Sequence, residues 1–172
     1  MQKVKSLQGK WWNVVFFLTT ALLLVTADQL SKLWIRSNLA MGESVFEVGF
    51  FRLIRVHNTG AAFGLFRGQS FLLTIIASVG VAAILLYVLF FHRLFPFLDN
   101  RLGKLALGLV LGGAVGNLID RIRFGYVTDF IDFNFWPAFN IADSATVVGT
   151  IILAYSLICL ARAGERSDEQ GI

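Results

Sequence analysis

Residues 71–91 read FLLTIIASVGVAAILLYVLFF, 21 residues without one charged side chain. A helix needs about 20 apolar residues to cross a hydrocarbon core of ~30 Å. This stretch therefore predicts a membrane-crossing helix, and it sets the reading of its surroundings. Three further apolar stretches, at about 11–27, 105–119 and 145–161, complete a set of four spans. Two of them are short for a bilayer, so their polar ends lie at the interface or the bilayer thins around them.

The composition agrees. Of the 172 residues, 56% are hydrophobic and 15% charged, with a mean hydropathy of +0.71. A soluble domain carries roughly 45–50% apolar and about 25% charged residues. Two prolines, one cysteine and no glycine repeat exclude disordered, collagen-like and disulfide-rich classes. The net charge of +4 contains no basic run, which argues against nucleic acid as a partner. The expected fold class is an α-helical integral membrane protein. One membrane domain of four helices spans residues 1–172, with extracytoplasmic parts at about 28–70 and 120–140. A monomer is expected.

The first apolar run follows Lys3, Lys5 and Lys10 and ends in Val25-Thr26-Ala27, like a cleavable signal peptide. It is read as a retained helix, because Asp28 and Lys32 continue the same helical spacing. Four spans put both termini on one side. Basic residues number eight on the terminal side and seven on the other, so the total does not orient the chain. The acid-free leader does, and it places both termini in the cytoplasm. Cys159 lies in the last span with no partner available for a disulfide.

Residues 43–58 alternate apolar and polar and are rich in Val, Phe and Ile, which predicts two short strands with a bend near Gly49. A water-side β-platform with an amphipathic segment at 63–71 is expected. The 120–140 stretch is an aromatic loop in which seven aromatic residues suit the headgroup layer. Among them stand Asp120, Asp129 and Asp132, followed by Asp143 at the start of the fourth span.

Acids at the edge of a span are costly and usually functional. If Asn140 caps the fourth helix, Asp143 sits in its first turn, where the helix dipole favours a negative charge. Capping alone could explain Asp143. It cannot explain Asp129, which lies between Val127-Thr128 and Phe130-Ile131 in apolar company; burial there would raise its pKa. Two carboxylates in different environments suit acid–base chemistry on an amide, one taking a proton from water and the other polarising the carbonyl. His57 and His92 fall on opposite sides of the membrane. Neither a metal-ligand cluster nor a Gly-x-Ser-x-Gly motif occurs, which argues against zinc and against a serine nucleophile of that type. A small membrane transporter or proton-conducting protein would use the same membrane-edge aspartates, and spacing alone leaves both readings open.

Polar support gathers nearby. Asp28 and Lys32 are an i, i+4 pair in the favourable orientation. Asn117, Asp120 and Arg121 lie at the outer end of the third span, and Gly108, Gly112 and Gly116 form a small-residue stripe suited to close helix packing.

Five stretches in order carry a resemblance across nearly the whole chain. They are Ala27-Asp28-Gln29-Leu30-Ser31-Lys32, Asn58-Thr59-Gly60-Ala61-Ala62-Phe63-Gly64, Gly112-Gly113-Ala114-Val115-Gly116-Asn117-Leu118-Ile119-Asp120-Arg121, Val127-Thr128-Asp129-Phe130 and Phe139-Asn140-Ile141-Ala142-Asp143-Ser144. Together they resemble the bacterial lipoprotein signal peptidase (signal peptidase II) family of membrane aspartic proteases. The resemblance implies that Asp129 and Asp143 are a catalytic dyad. Asn58, Gly60, Gly113, Asn117, Arg121 and Asn140 would line the substrate pocket or hold the dyad, and Asp28, Lys32 and Asp120 would support it. It further implies prolipoprotein substrates carrying a diacylglyceryl-cysteine, cleaved just before that cysteine. Membrane lipid would surround the site, globomycin would inhibit it, and the active site would face the extracytoplasmic side of the bacterial inner membrane. The segment between Asp129 and Asp143 is short compared with some relatives. Asp132 within it is a second possible acid, but Asp129 alone fits the Val-x-Asp-Phe pattern.

Overall fold

The computed structural model describes residues 2–61, 65–92, 94 and 98–170, and for residues 2–10, 161 and 163–170 it describes the backbone alone. Arg93, residues 62–64 (the end of the 58–64 stretch and the first two residues of the expected amphipathic segment), and the side chains of Lys3, Lys5, Lys10 and Arg166 lie outside the described residues. The described part of that segment before Ser70 is a turn.

Helix α1 (Gln2–Asn38) carries the first apolar span, Trp11–Asn38. From residue 11 to 38 it holds neither glycine nor proline, so the ladder continues past the apolar run and through Asp28, Lys32 and Arg36. Gly42, at φ +80, turns the chain into a hairpin. Strands β1 (Ser44–Val48) and β2 (Phe51–Asn58) pair antiparallel across a two-residue turn with Gly49 at φ +61. Helix α2 (Ser70–Leu86) follows and ends in a π turn, Tyr87–Phe91. Helix α3 (Arg101–Phe124) is capped by the Asn100 side chain and stopped by Gly125 in the left-handed conformation. Strand β3 (Val127–Asp132) and helix α4 (Ile141–Gln170) complete the chain.

The 120–140 stretch, expected as a loop, thus supplies a third strand. Its aromatic density hides a β-branched core, Val127-Thr128 and Ile131, that pairs antiparallel with β2 in the order β1-β2-β3. The register sets Val56 opposite Asp129 and His57 opposite Thr128. Ile35 and Leu39, near the end of α1, pack with Phe130 to seat the sheet on the bundle.

Helix α3 is the centre of that bundle, packed by α1, α4 and α2. Half of its apolar window is buried, against 17% for α1 and α4 and 6% for α2. Glycines make this possible. A Cβ on Gly116 would lie 2.6 Å from Asp28 Oδ2 on α1, and one on Gly113 would overlap the Ala142 carbonyl and the Thr146 hydroxyl on α4. Gly113 is therefore a point of backbone approach. Overpacking of this kind costs about 1–3 kcal/mol. Gly113→Ala is expected to lower the thermal midpoint in detergent and to reduce activity, because it pushes Asn117 and Asp143 apart. A midpoint equal to the parent's would refute this.

Candidate active site

Ionisable groups collect where α1 and α3 end and α4 begins. Asp28, Lys32 and Asp120 are fully buried. Lys32 Nζ lies 2.8 Å from Asp28 Oδ2, 3.5 Å from Asp120 Oδ2 and 2.9 Å from Asn117 Oδ1. Asp28 Oδ1 accepts the Ala142 N–H of α4 at 3.0 Å, tying α1 to the first turn of α4. Gln29 adds a bond from Nε2 to the Gly116 carbonyl at 3.0 Å. A cation between two buried carboxylates whose oxygens accept further hydrogen bonds is the arrangement in which buried charge is tolerated.

Asn140 and Asp143 cap α4 reciprocally. The Asp143 N–H donates to Asn140 Oδ1 at 2.9 Å and the Asn140 N–H donates to Asp143 Oδ2 at 3.2 Å. This is a capping box with an acid at the third position. Asp143 is nevertheless more than a cap, because its Oδ1 accepts from Asn117 Nδ2 at 2.8 Å and its side chain lines the cleft described below. Asp129 accepts from Asn140 Nδ2 at 2.7 Å and from Asn58 Nδ2 at 2.9 Å.

Three asparagines thus turn their amide N–H groups toward two carboxylates, and each orientation is forced. The Gly60 N–H donates to Asn58 Oδ1 at 2.9 Å, the Lys32 ammonium to Asn117 Oδ1, and the Asp143 N–H to Asn140 Oδ1. None of these donors can accept, so the amide oxygen must face it and the NH₂ must face the acid. Asn140 serves both carboxylates at once.

Burial pushes the Asp129 carboxyl up to about 7, aided by repulsion from Asp143 and opposed by the Asn58 and Asn140 hydrogen bonds and the Lys32 charge. Asp132 is placed differently. Its carboxylate pairs with Arg52 Nε at 2.7 Å and accepts the Asn134 N–H at 2.9 Å, so it is committed to the turn after β3. Arg121 donates to the Gly60 carbonyl at 3.1 Å, and among the described residues its buried Nε has no hydrogen-bond partner. Gly60 is confined as well, since a Cβ there would lie 2.8 Å from the Leu65 carbonyl oxygen. Burial and the charges of Arg55 and Arg36 lower the pKa of His57, whose ring stacks on Tyr126 at 3.6 Å; it is a neutral wall residue.

A cleft of about 1040 Å³ opens in front of the two carboxylates. Asn58, Gly60, Gly113, Asn117, Arg121, Asp129 and Asp143 all contribute to its lining. Its roof is Trp136 to Phe139, and its floor is apolar, with Ala77, Ala114, Val147 and Val148. Val147 and Val148 are exposed within the apolar span of α4, so the floor runs onto the outer apolar surface of the bundle. Asn140 reaches the carboxylates from behind, without appearing in the lining. Asp28, Lys32 and Asp120 lie behind the wall. Sequence reasoning missed Gln29, Arg36 and Thr128 in this network; the i, i+4 recurrence of Asp28, Lys32 and Arg36 was the available signal for the second. Among the described residues no cluster of His, Cys, Asp and Glu could hold a metal. Such an arrangement offers two carboxylates, near enough to repel, facing a space that is polar at one end and apolar at the other.

A family model described as "Signal peptidase (SPase) II" matches residues 20–159. A lipoprotein signal peptidase of Dehalococcoides mccartyi (strain CBDB1) is 49% identical over 157 residues, covering 91% of this chain and 97% of its own. One from Moorella thermoacetica is 48% identical over 154 residues, covering 89% and 98%. A bacterial membrane enzyme solved by the in meso method at 2.3 Å resolution superposes with a TM-score of 0.73 at 31% identity, over 83% of this chain and 87% of that one.

Proposed function

The chain belongs to the signal peptidase II family, and from that premise we propose that it is an aspartic endopeptidase with Asp129 and Asp143 as its dyad. It is a multi-pass membrane protein, and its activity is the removal of signal peptides from prolipoproteins. The observation that carries the dyad is the convergence of three asparagine amides on two carboxylates at one cleft wall.

The substrate enters from the bilayer with its diacylglyceryl-cysteine, and the acyl chains lie along the apolar floor formed by α2, α3 and α4. Burial of acyl chains contributes ~0.8 kcal/mol per CH₂, which anchors the peptide while its scissile bond meets the polar end. Asp143, at the positive end of α4, is the ionised partner and takes a proton from water. Asp129 carries the dyad's single proton and hydrogen-bonds the carbonyl oxygen before the lipidated cysteine. Its raised pKa supports that role, although the two groups titrate as a pair. Attack of the water gives a tetrahedral intermediate. Its collapse breaks the C–N bond, and the cysteine nitrogen leaves with the proton that Asp143 took from the water, which returns Asp143 to its ionised form. Arg121 and Asn58 frame the peptide at the wall. Asp28, Lys32 and Asp120 keep the helix ends together. The site works without a metal or cofactor. We place it at the extracytoplasmic face with both termini in the cytoplasm, because the polar groups gather at the helix ends opposite the basic leader. The protein acts as a monomer, and globomycin occupies the cleft as an inhibitor.

The test is release of signal peptide by the purified protein in detergent from a diacylglyceryl-modified precursor, with and without globomycin. Release is expected from the lipidated precursor only, blocked by globomycin. The rate is expected to fall as the pH rises through about 7, where Asp129 loses its proton. Stability shifts in the same direction: a carboxyl whose folded pKa lies above its unfolded value of about 4 favours the folded state at low pH, and that contribution is lost as the pH rises to about 7. The thermal midpoint is therefore expected to drop between pH 5 and 8, and to drop less in Asp129→Asn. Equal cleavage of an unlipidated precursor, or a rate that keeps rising to pH 9, would count against this reading.

A further inference from the structure

Two cations approach the dyad, each through one polar intermediary. Lys32 reaches Asp143 through Asn117. Arg36, one turn further along α1, places Nη1 3.1 Å from Thr128 Oγ1 and 3.3 Å from Asp120 Oδ1. Its guanidinium carbon lies 4.8 Å from the centre of the Phe124 ring, and its side chain is only 12% exposed. Thr128 is fully buried and precedes Asp129 on β3. Its N–H donates to Asp120 Oδ2 at 2.9 Å, and its hydroxyl accepts from Arg36. Both polar ends of Thr128 that face α1 and α3 are therefore tied to one Arg36–Asp120 pair.

Strand geometry makes that tie consequential. Side chains alternate along a strand, and Val127 and Asp129 line the cleft while Thr128 points to the opposite side. A shift of Thr128 off these two contacts would carry its chain neighbour Asp129 with it, changing the distances to Asn58 and Asn140. A lysine could not replace Arg36 fully: its ammonium could bond both acceptors as Nη1 does, but it lacks the planar guanidinium that lies over Phe124. Asp120 is the shared anion, touching Lys32 at 3.5 Å and Arg36 at 3.3 Å. Charge in the buried set balances: Asp28 and Asp120 against Lys32 and Arg36.

We propose that Arg36 is a positioning residue, holding Asp129 at the cleft through Thr128 as Lys32 holds Asp143 through Asn117. The inference rests on the reading of Asp129 as catalytic. The experiment measures kcat and KM for a diacylglyceryl precursor with purified Arg36→Met, Arg36→Lys, Thr128→Val, the Arg36→Met/Thr128→Val double variant and Asp129→Asn, each normalised to folded, detergent-soluble protein. Arg36→Met and Thr128→Val are expected to lower kcat by roughly 10-fold to 100-fold, the scale of a catalytic group displaced by about 1 Å, with KM within about twofold of the parent. Arg36→Lys should fall between parent and Arg36→Met. The double variant should be no slower than the worse single, because both act along one path. Thr128→Val preserves shape and removes one hydroxyl, so it carries the test even if Arg36→Met does not fold. An unchanged kcat in Thr128→Val, a rise in KM alone, or multiplicative losses in the double variant would overturn the proposal. Those results with Asp129→Asn inactive would sink this inference alone, whereas activity in Asp129→Asn would sink the dyad itself.

Discussion

Asp129→Asn and Asp143→Asn are each expected to lower signal-peptide release by at least about 10³-fold, while both proteins still insert and fold. General acid–base groups contribute about 10²–10⁴-fold each, and in the proposed mechanism the two aspartates act as a unit, so the double variant should be little worse than either single. The reason lies in what asparagine cannot do. At 143 it cannot take a proton from water. At 129 it keeps a hydrogen-bond donor but has no proton to exchange in the pH range of the reaction. The same substitution supplies only one acceptor where Asn58 and Asn140 both donate. Asp132→Asn is the control. Its carboxylate is spent on Arg52 and the Asn134 N–H, so most activity should remain. Release of signal peptide from a lipidated precursor, measured per mole of folded protein, decides the matter. Full activity in either dyad variant would remove that residue from the mechanism, and loss in Asp132→Asn alone would mean that the wrong carboxylate had been assigned.

Lys32→Met is expected to be the most destabilising single change in the bundle. The ammonium is fully buried and contacts Asp28, Asp120 and Asn117. Methionine fills nearly the same volume, so packing is preserved while the charge disappears. Asp28 then has no cation, and Asp120 keeps only Arg36. Breaking a buried pair by removing one partner costs about 3–5 kcal/mol, because the other charge stays behind without compensation. Activity should fall too. Without Lys32, Asn117 Oδ1 keeps only the 3.2 Å contact from Asn140 Nδ2, so its amide is held less firmly toward Asp143. Adding Asp28→Asn to Lys32→Met should recover part of the lost stability, since it removes the stranded charge. The thermal midpoint in detergent, read together with the release rate, checks both statements. A midpoint within a degree of the parent's for Lys32→Met would refute the account of the buried cluster.

Much of this protein is legible in its sequence, and for one reason. In a chain with 15% charged residues, an ionisable group beside a span carries an energetic cost that something must justify. The four helices follow from apolar runs, and the hairpin follows from alternation bent at Gly49. Asp129 and Asp143 stand out because Asp129 sits in an apolar run and Asp143 sits where a helix begins. What the sequence concealed was mostly pairing across distance. β3 was hidden because aromatic density and strand propensity overlap in the 120–140 stretch, and only pairing with β2 separates them. Thr128 and Arg36 carry no mark of their own and gain meaning only through Asp120, contributed by a third element.

By itself, then, the sequence determined the membrane class, the four spans, and the end of the bundle where charge would collect, because these depend on local hydropathy and spacing. The tertiary structure alone decided which groups meet. Asn140 serves two carboxylates, Asn117 is oriented by a lysine 85 positions away, and Asp132 is drawn off by Arg52. Hydrogen bonds and buried ion pairs act over about 3 Å, and only the packing of α3's glycines against α1 and α4 brings these side chains within that range.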